Sequence, residues 1–301
     1  MIYFCADDYG IAESCNRRIE RCLHEGALNK VSVLPNGTSG DFKGRLAKKN
    51  AVVSLHLNLV EGRPLSDTAD VPLLVDENGS FQYSFIGLLK QSLGGNRRAL
   101  EAQLYREIRA QLGFWKRQMG EGTPISIDSH QHTHMIPLVF KTLMRAIRDE
   151  QVTVSAIRIP AEPLSPYLLT PSLYTAYPLT GLIKQWLLKC FGLINRRELK
   201  RADLPYALFM GAVFSGHLTE DKIAKLLPRY ARLAEKCGRD IEVALHPGYL
   251  EEGEHLIEGC RPSFETFYFS PWRKKEYDAL MHLTRYTSVT KEGTDHAVYR
   301  Q

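Results

Sequence analysis

The segment PISIDSHQHTHMIP (residues 124–137) joins a short apolar strand pattern to an unusual concentration of histidines. Asp128, His130, His132 and His134 occupy every second position, so an extended chain would direct all four side chains to one face. Three of the chain's ten histidines fall within five residues. Packing seldom needs such a cluster, and imidazole is a common metal ligand and proton carrier. The segment therefore predicts a metal site or a catalytic site at the end of a strand.

Other short apolar runs of the same kind recur along the chain and predict strands. They cover residues 2–7, 30–36, 51–59, 124–130, 152–160, 207–214 and 241–247. Helical periodicity lies between them, over residues 14–26, 97–119, 137–149, 219–236 and 271–284. Strands that alternate with helices favour an α/β fold with a parallel sheet. About seven strands suit either a (β/α) barrel or an open doubly wound sheet, and no GxGxxG motif favours a dinucleotide fold.

The size of the chain bounds its domain organisation. With 301 residues, 44% of them hydrophobic, it is long enough for one large domain or two small ones. Residues 60–95 and 160–205 are rich in turn-forming residues and fit the alternation poorly. We interpret both as insertions over the carboxyl ends of the strands, within a single domain that spans residues 1–301.

Charge and composition exclude several classes of partner. The net charge of +5 is mild and the basic residues are spread out, RRELKR (196–201) being the densest tract, so we expect no nucleic-acid partner. No apolar stretch approaches the about 20 residues of a membrane span. The N-terminal sequence lacks an export signal pattern, and the six cysteines show no CxxC spacing. These features predict a cytoplasmic protein with reduced thiols.

Polar residues of chemical interest follow the predicted strands. In a parallel sheet or barrel the carboxyl ends of the strands share one edge, so side chains that are distant in sequence should converge there. The residues placed in this way are Asp7, Asp8, His56, His130, Arg158 and His246.

One carboxylate with two imidazoles suits Zn²⁺ or a similar divalent ion, and a second carboxylate beside the first could act as a general base. Adjacent aspartates on an extended chain point to different sides, so the Asp7–Asp8 pair could divide into a ligand and a neighbour. Structural interpretations stay open for each residue alone. An Asp-Gly pair often marks a turn, His56 could be a core histidine, and His246 could merely open a turn.

Several motifs together resemble a known family, the YdjC-like carbohydrate deacetylases, which include chitooligosaccharide deacetylases. The motifs stand in family order from residue 1 to about residue 250, and the set is highly specific. They are ADDYG (6–10), Asn36–Gly37, SLHLNLVEGRPL (54–65), DSHQHTHMIP (128–137), IRIP (157–160) and LHPGY (245–249).

The resemblance implies a distorted (β/α) barrel and hydrolysis of the N-acetyl group of an amino sugar or oligosaccharide. It implies Asp7 as general base and His246 as candidate acid. It also implies one divalent ion, Mg²⁺ or Zn²⁺, with Asp8, His56 and His130 as its ligands. We expect substrate-binding or ligand-orienting roles for Asn36, Asp128, His132, His134 and Arg158, with a structural role as the alternative for His134. A homodimer is left open.

Two other functions remain as alternatives. A metallophosphoesterase also gathers Asp and His on a barrel rim, and the additional His132 and His134 could serve further metals. A non-catalytic barrel that binds sugar or metal is the second alternative. Binding alone does not need a base beside the metal, so the Asp7–Asp8 pair argues against it.

Overall fold

The computed structural model describes residues 1–38, 40–48 and 51–283, and a seven-stranded sheet lies at its centre. The strands are β1 (Ile2–Tyr9), β2 (Lys30–Val33), β3 (Val52–Leu57), β4 (Ile125–Ser129), β5 (Val154–Ile157), β6 (Leu208–Met210) and β7 (Ile241–Leu245). Their order is β5-β4-β3-β2-β1-β7-β6, and every neighbouring pair is parallel. The seven predicted strands are confirmed, with ends that differ by a few residues.

Helices follow most of the strands and cover the sheet. They are α1 (Glu13–Glu25), α2 (Phe42–Arg45), α3 (Phe85–Ser92), α4 (Arg97–Met119), α5 (Pro137–Asp149), α6 (Ser165–Leu168), α7 (Leu179–Ala202), α8 (Glu220–Cys237), α9 (Pro262–Tyr268) and α10 (Pro271–His282). The helices predicted at 97–119 and 137–149 have the expected bounds, and those predicted at 14–26 and 219–236 are shifted by one residue. The helix predicted over 271–284 ends at His282, and residue 284 lies outside the described residues.

The sheet curls into a distorted barrel, as expected, because its two edge strands approach each other. Within the described chain β5 and β6 do not pair as strands. Instead, the backbone N–H of Ile157 in β5 donates to the carbonyl of Pro205 at 3.1 Å, just before β6. Beyond the strands, the buried carboxylate of Glu162 accepts backbone hydrogen bonds from Gly211 and Ala212. These contacts close the gap and hold the carboxyl ends of the strands around a common centre.

The segment 160–205 contains a long helix that the sequence pattern did not predict. This helix, α7, runs for 24 residues on the connection between β5 and β6. Both sides of α7 carry apolar residues: Leu188 and Phe191 are buried together with Gln185 and Asn195, whereas large side chains such as Trp186 are exposed. A search for an inward apolar stripe therefore misses it. The segment 60–95 likewise contains α3 and an isolated bridge between Val75 and Phe81.

The apolar core lies between the sheet and the surrounding helices. A second, smaller cluster lies below the loops at the carboxyl ends of β1 and β7, where Ile11, Leu34 and Leu250 pack with Tyr268. This cluster supports the loops that carry the polar residues described next. Among the described helices, none combines the length and apolar character needed to cross a membrane.

Candidate active site

A cavity of about 570 Å³ opens at the carboxyl ends of the strands. It brings together most of the side chains that the sequence singled out, from β1, β3 and the segments after β4 and β7. The predicted residues that line it are Asp7, Asp8, His56, His130, His132 and His246. Asp8, His56, His130 and His246 are each more than 40 residues apart in sequence, yet they line the same cavity. The side chains thus converge at the carboxyl ends of the strands, as predicted.

The two adjacent aspartates of β1 point to different surroundings. Asp8 adopts a left-handed backbone conformation with φ of 69°, and the register between β1 and β2 shifts between Ala6 and Tyr9. A left-handed aspartate is uncommon and costs free energy unless the surrounding structure requires it. Here it turns the Asp8 carboxylate toward His130, whereas the Asp7 carboxylate faces Arg158.

Asp8 lies among two imidazoles and a phenol. Its Oδ1 atom is 2.6 Å from Nδ1 of His130 and 3.2 Å from Nε2 of His56. Its Oδ2 atom accepts a hydrogen bond of 2.6 Å from the hydroxyl of Tyr268. Burial opposes ionisation of Asp8, but the neighbouring His130 and His56 outweigh it and hold the pKa of this carboxyl well below its usual range. Asp8 is thus a buried carboxylate that stays ionised.

His56 is oriented by a carboxylate on the next strand. Its Nδ1 atom is 2.6 Å from Asp128 Oδ1, and the hydroxyl of Ser32 donates to the other oxygen of Asp128 at 2.6 Å. Burial acts to lower the pKa of His56, but the charges of Asp7 and Asp128 raise it to about 10. A carboxylate that holds one ring nitrogen fixes the direction of the other, which is the usual support of a metal-binding histidine.

The Asp8, His56 and His130 group fits a divalent metal ion. One ligand atom from each residue lies within 4.8 Å of the others, and all three side chains are buried. Nε2 of His130 is buried and has no hydrogen-bond partner among the described residues. Two ligands of a tetrahedral Zn²⁺ lie about 3.3 Å apart, and the 3.2 Å between His56 and Asp8 is close to this spacing. The donor set and its orphaned nitrogen could therefore hold a metal ion.

Asp7 belongs to an ionic cluster inside the barrel. Arg158 donates to both oxygens of Asp7, at 2.7 and 2.8 Å. The same guanidinium donates to Glu242 on β7 at 2.7 Å and lies 3.0 Å from Asp128 on β4. Lys30 neutralises the far side of Glu242 at 2.9 Å. Glu242 was not predicted, because a single glutamate in an apolar strand carries no motif.

The histidine segment leaves the extended conformation earlier than predicted. β4 ends at Ser129, and residues 130–135 form a tight helical turn in which Gln131 and His132 have φ of 53° and 60°. The chain must turn here because α5 begins at Pro137. The interpretation that four side chains share one face is therefore wrong beyond Ser129.

His132 and His134 have different environments as a result. His132 lines the cavity with its ring edge against Phe209, and burial lowers its pKa. Both ring nitrogens of His134 are engaged by protein atoms. Nδ1 accepts from the Ser129 hydroxyl at 2.5 Å, and Nε2 donates to the carbonyl of Arg158 at 2.8 Å. Burial lowers the pKa of His134 to about 4, so it is neutral and links β4 to β5.

His246 follows β7 and rests on a buried glutamate from α10. Its backbone N–H donates to Glu276 Oε2 at 2.6 Å, and its Nδ1 lies 3.6 Å from the same oxygen. Arg273 approaches that oxygen to 3.5 Å. Burial opposes the ionisation of Glu276, but Arg273 and His246 lower its pKa. Glu276 was not predicted, because its only signal in the sequence is its place among the inward positions of a helix.

Asn36 supports the loop that follows β3. Its amide donates to the carbonyls of Arg63 and Glu61 at 2.8 and 3.1 Å, and its oxygen accepts from Asn58 at 3.0 Å. The motif residues of this loop thus bind one another rather than projecting freely. This arrangement holds Glu61 against Arg261 in the loop before α9.

The remaining walls of the cavity come from helices that the sequence pattern did not identify as part of a site. The residues concerned are mostly apolar: Phe85, Ile86, Ile183, Leu187, Leu188, Phe264 and Phe267. Lys184 from α7 also lines the cavity. Burial lowers the pKa of this lysine, while Glu162 and the two aspartates act to raise it.

Comparison with known proteins agrees with the motifs. A family model described as YdjC-like protein matches residues 1–285. A carbohydrate deacetylase of Brevibacillus brevis is 30% identical over 252 residues, which cover 82% of this chain and 81% of that protein. A carbohydrate deacetylase of Danio rerio is 31% identical over 158 residues, which cover 52% of this chain and only 49% of that protein.

A solved structure supports the fold. The crystal structure of an Enterococcus faecalis protein proposed to cleave cellobiose phosphate superimposes with a TM-score of 0.63 at 17% identity, covering 96% of this chain and 92% of that one. At this level of identity the likeness concerns the fold alone. The family model matches nearly the whole chain, so it supports family membership as well as the fold. It confirms the resemblance seen in the motifs. The chain belongs to the YdjC-like protein family.

Proposed function

We propose that this protein is a carbohydrate deacetylase that hydrolyses the N-acetyl group of an amino sugar or a chitooligosaccharide and releases acetate. The observation that carries the proposal is the division of the Asp7–Asp8 pair at one cavity. Asp8 lies with His56 and His130 in an arrangement that could bind a metal ion. The neighbouring Asp7 accepts hydrogen bonds from the buried Arg158 and lines the same cavity. The relatives named carbohydrate deacetylases support the reaction class.

Asp8, His56 and His130 would hold one divalent ion. Two imidazoles with one carboxylate favour Zn²⁺ over Mg²⁺, because Mg²⁺ prefers oxygen ligands. Such an ion, when bound, polarises a carbonyl and acidifies water. The three protein ligands leave coordination positions for water and substrate. Asp128 keeps His56 turned toward Asp8, so it acts by orienting a ligand.

Asp7 is the proposed general base. The paired hydrogen bonds from Arg158 hold both of its oxygens in a defined orientation. An ionised carboxylate at the cavity wall can accept the proton of the attacking water. Arg158 cannot take that proton, since a guanidinium stays protonated in proteins.

His246 is the proposed general acid. An amine leaves an amide poorly as an anion, so the reaction needs a proton donor at the leaving nitrogen. His246 lines the same cavity as Asp7, and Glu276 lies 3.6 Å behind its Nδ1. Glu276 accepts a hydrogen bond from the backbone N–H of His246 at 2.6 Å, which fixes the position of this residue at the cavity wall. Glu276 is therefore a positioning residue in this proposal.

The cavity suits a sugar ring. Its volume of about 570 Å³ lies within the range of small-molecule sites, and the rings of Phe264 and Phe267 offer apolar surface. His132 and Lys184 supply polar contacts at the wall. The length of the oligosaccharide, the cytoplasmic location and a homodimer remain predictions.

Product analysis tests the proposed reaction against its alternatives. The full-length protein is incubated with N-acetylglucosamine oligomers and with bis(p-nitrophenyl) phosphate, in the presence of Zn²⁺ or Mg²⁺, and the release of acetate and of p-nitrophenolate is measured. We expect acetate from the oligomers and no p-nitrophenolate from the diester. Release of p-nitrophenolate without acetate would assign the site to a phosphoesterase, and binding of the oligomers without either product would assign it to a non-catalytic barrel.

A further inference from the structure

The solvent-facing side of α7 is apolar. Six of its large apolar side chains are exposed: Leu179, Leu182, Ile183, Trp186, Leu193 and Ile194. Apart from the adjacent pairs 182–183 and 193–194, they recur at intervals of three, four or seven residues, so all six lie along one side of the helix. Trp186 is 68% exposed and Leu193 is 70% exposed, while Gln185 and Asn195 face the protein. We call the exposed side the α7 outer face.

The last two turns of the α7 outer face are basic. Arg197, Lys200 and Arg201 follow Leu193 by four, seven and eight residues, so they continue the same side of the helix. They belong to the RRELKR tract, the densest basic segment of the chain, which the proposed reaction does not use. The one carboxylate of α7 is Glu198, which contacts Arg201 at 3.3 Å and Arg148 at 3.7 Å. The α7 outer face is therefore apolar at one end and cationic at the other.

The apolar part reaches the opening of the cavity. Ile183 belongs both to the α7 outer face and to the cavity wall, where it joins Ile86 of α3, which is 50% exposed. The rings of Phe85 and Phe191 lie 6.4 Å apart and connect α3 to α7. Exposed apolar surface next to a site opening typically marks an interaction surface.

We propose that the α7 outer face docks on the surface of an anionic phospholipid bilayer. An interfacial helix places large apolar side chains at the boundary between headgroups and acyl chains and its cations among the headgroups, and α7 carries both groups on one side. In a second copy docked through the same helix, the only carboxylate that α7 offers to these cations is Glu198, which already pairs with Arg201 and Arg148. Docking in this way would turn the cavity opening toward the membrane surface.

Vesicle binding by the full-length protein tests this docking. Sedimentation with vesicles of equal parts phosphatidylcholine and phosphatidylglycerol is compared with sedimentation with phosphatidylcholine alone. We expect the protein to bind the anionic vesicles, with a blue shift of its tryptophan fluorescence on binding. Added salt should weaken this binding, because it screens the attraction between the cations and the lipid headgroups. The fluorescence shift should be lost in Trp186→Gln, since Trp115 is buried in the core and Trp272 lies on α10, half-buried against His217.

Two sets of substitutions locate the contact. The triple variant Leu182→Gln, Trp186→Gln, Leu193→Gln should lower vesicle affinity by roughly a hundredfold or more, because three large apolar side chains no longer leave water. Arg197→Gln, Lys200→Gln, Arg201→Gln should remove the preference for anionic vesicles. Leu93→Gln is the matched control, because Leu93 is exposed and apolar but lies outside α7.

Three outcomes would overturn the docking. One is the lack of vesicle binding by the wild-type protein. Another is binding that survives the apolar triple variant unchanged. The third is a lipid-independent dimer, seen by analytical ultracentrifugation, that the same variant dissociates, which would assign the α7 outer face to a second copy. Hydrolysis of a water-soluble acetylated sugar should be equal in wild type and the apolar triple variant, so a folding defect would be recognised.

Discussion

Charged side chains fill the inside of the barrel, whereas apolar side chains cover the α7 outer face, and the cavity borders both regions. Arg158 is buried among Asp7, Asp128 and Glu242, while Trp186 is mostly exposed. In most proteins charged side chains lie at the surface and large apolar side chains lie in the core. Burying ions and exposing apolar surface both lower the stability of the folded state. We propose that the two departures serve function, the first for chemistry and the second for contact with a partner.

Loss of the proposed base should give the largest effect. Asp7→Asn keeps the size of the side chain but cannot accept the proton of water, so we expect kcat to fall roughly 10²–10⁴-fold. Steady-state acetate release from an acetylated amino sugar measures it, with circular dichroism as a control for folding. Normal turnover in this variant would place the base elsewhere.

Removal of Arg158 should damage stability strongly. Arg158→Leu leaves three buried carboxylates without their common partner, and breaking a buried ionic cluster in this way costs about 3–5 kcal/mol. Urea unfolding monitored by circular dichroism gives the free energy of unfolding. A loss below about 1 kcal/mol would mean that the cluster rearranges or takes up water on losing its cation.

Acid should destabilise the protein through His134. Its pKa is near 6.5 in an unfolded chain and about 4 in the folded protein, so between these pH values only the unfolded state binds the proton. The stability contributed by neutral His134 is complete above about pH 6.5 and falls by about 3 kcal/mol as the pH decreases to about 4.

The variant His134→Asn isolates this titration. It should be less stable than wild type at pH 7, and the difference in unfolding free energy should shrink as the pH approaches 4. A difference that stays constant over this range would show that His134 is not the responsible group.

The smallest effect on stability is expected on the α7 outer face. Trp186→Gln should change the free energy of unfolding by less than about 0.5 kcal/mol, because an exposed side chain contributes little to folding. Parallel urea unfolding with Arg158→Leu gives the contrast directly. A large loss in Trp186→Gln would mean that this side chain is covered in the folded protein, and it would weaken the comparison.

The seven strands and five of the ten described helices could be predicted from the sequence because their apolar positions face the core. The seven strand runs and the helix over 97–119 show this regular signal. Helix α7 could not be found in the same way, since its outward side is apolar and its inward side mixes Leu188 and Phe191 with polar residues. Hydrophobic periodicity predicts an element when its apolar residues lie only on the side that faces the core. It fails for a helix such as α7, whose exposed side is also apolar.

Part of the candidate site could be predicted, because some of its residues stand in recognisable motifs at the ends of strands. Asp8, His56 and His130 stand in motifs at strand ends, and the parallel sheet brings them together. Glu242 and Glu276 escape notice because each is a single carboxylate whose partners come from distant segments. The turn at residues 130–135 was also missed, and it separates His134 from the cavity residues His130 and His132.

Metal binding by the two aspartate variants tests the proposed division between Asp7 and Asp8 most directly. Chelator-treated wild type, Asp7→Asn and Asp8→Asn are titrated with Zn²⁺ and with Mg²⁺ by isothermal titration calorimetry. We expect wild type and Asp7→Asn to bind about one ion per chain, and Asp8→Asn to lose tight binding because an amide is a much weaker ligand than a carboxylate. Tight binding of one ion by Asp8→Asn, or its loss in Asp7→Asn alone, would contradict the assignment.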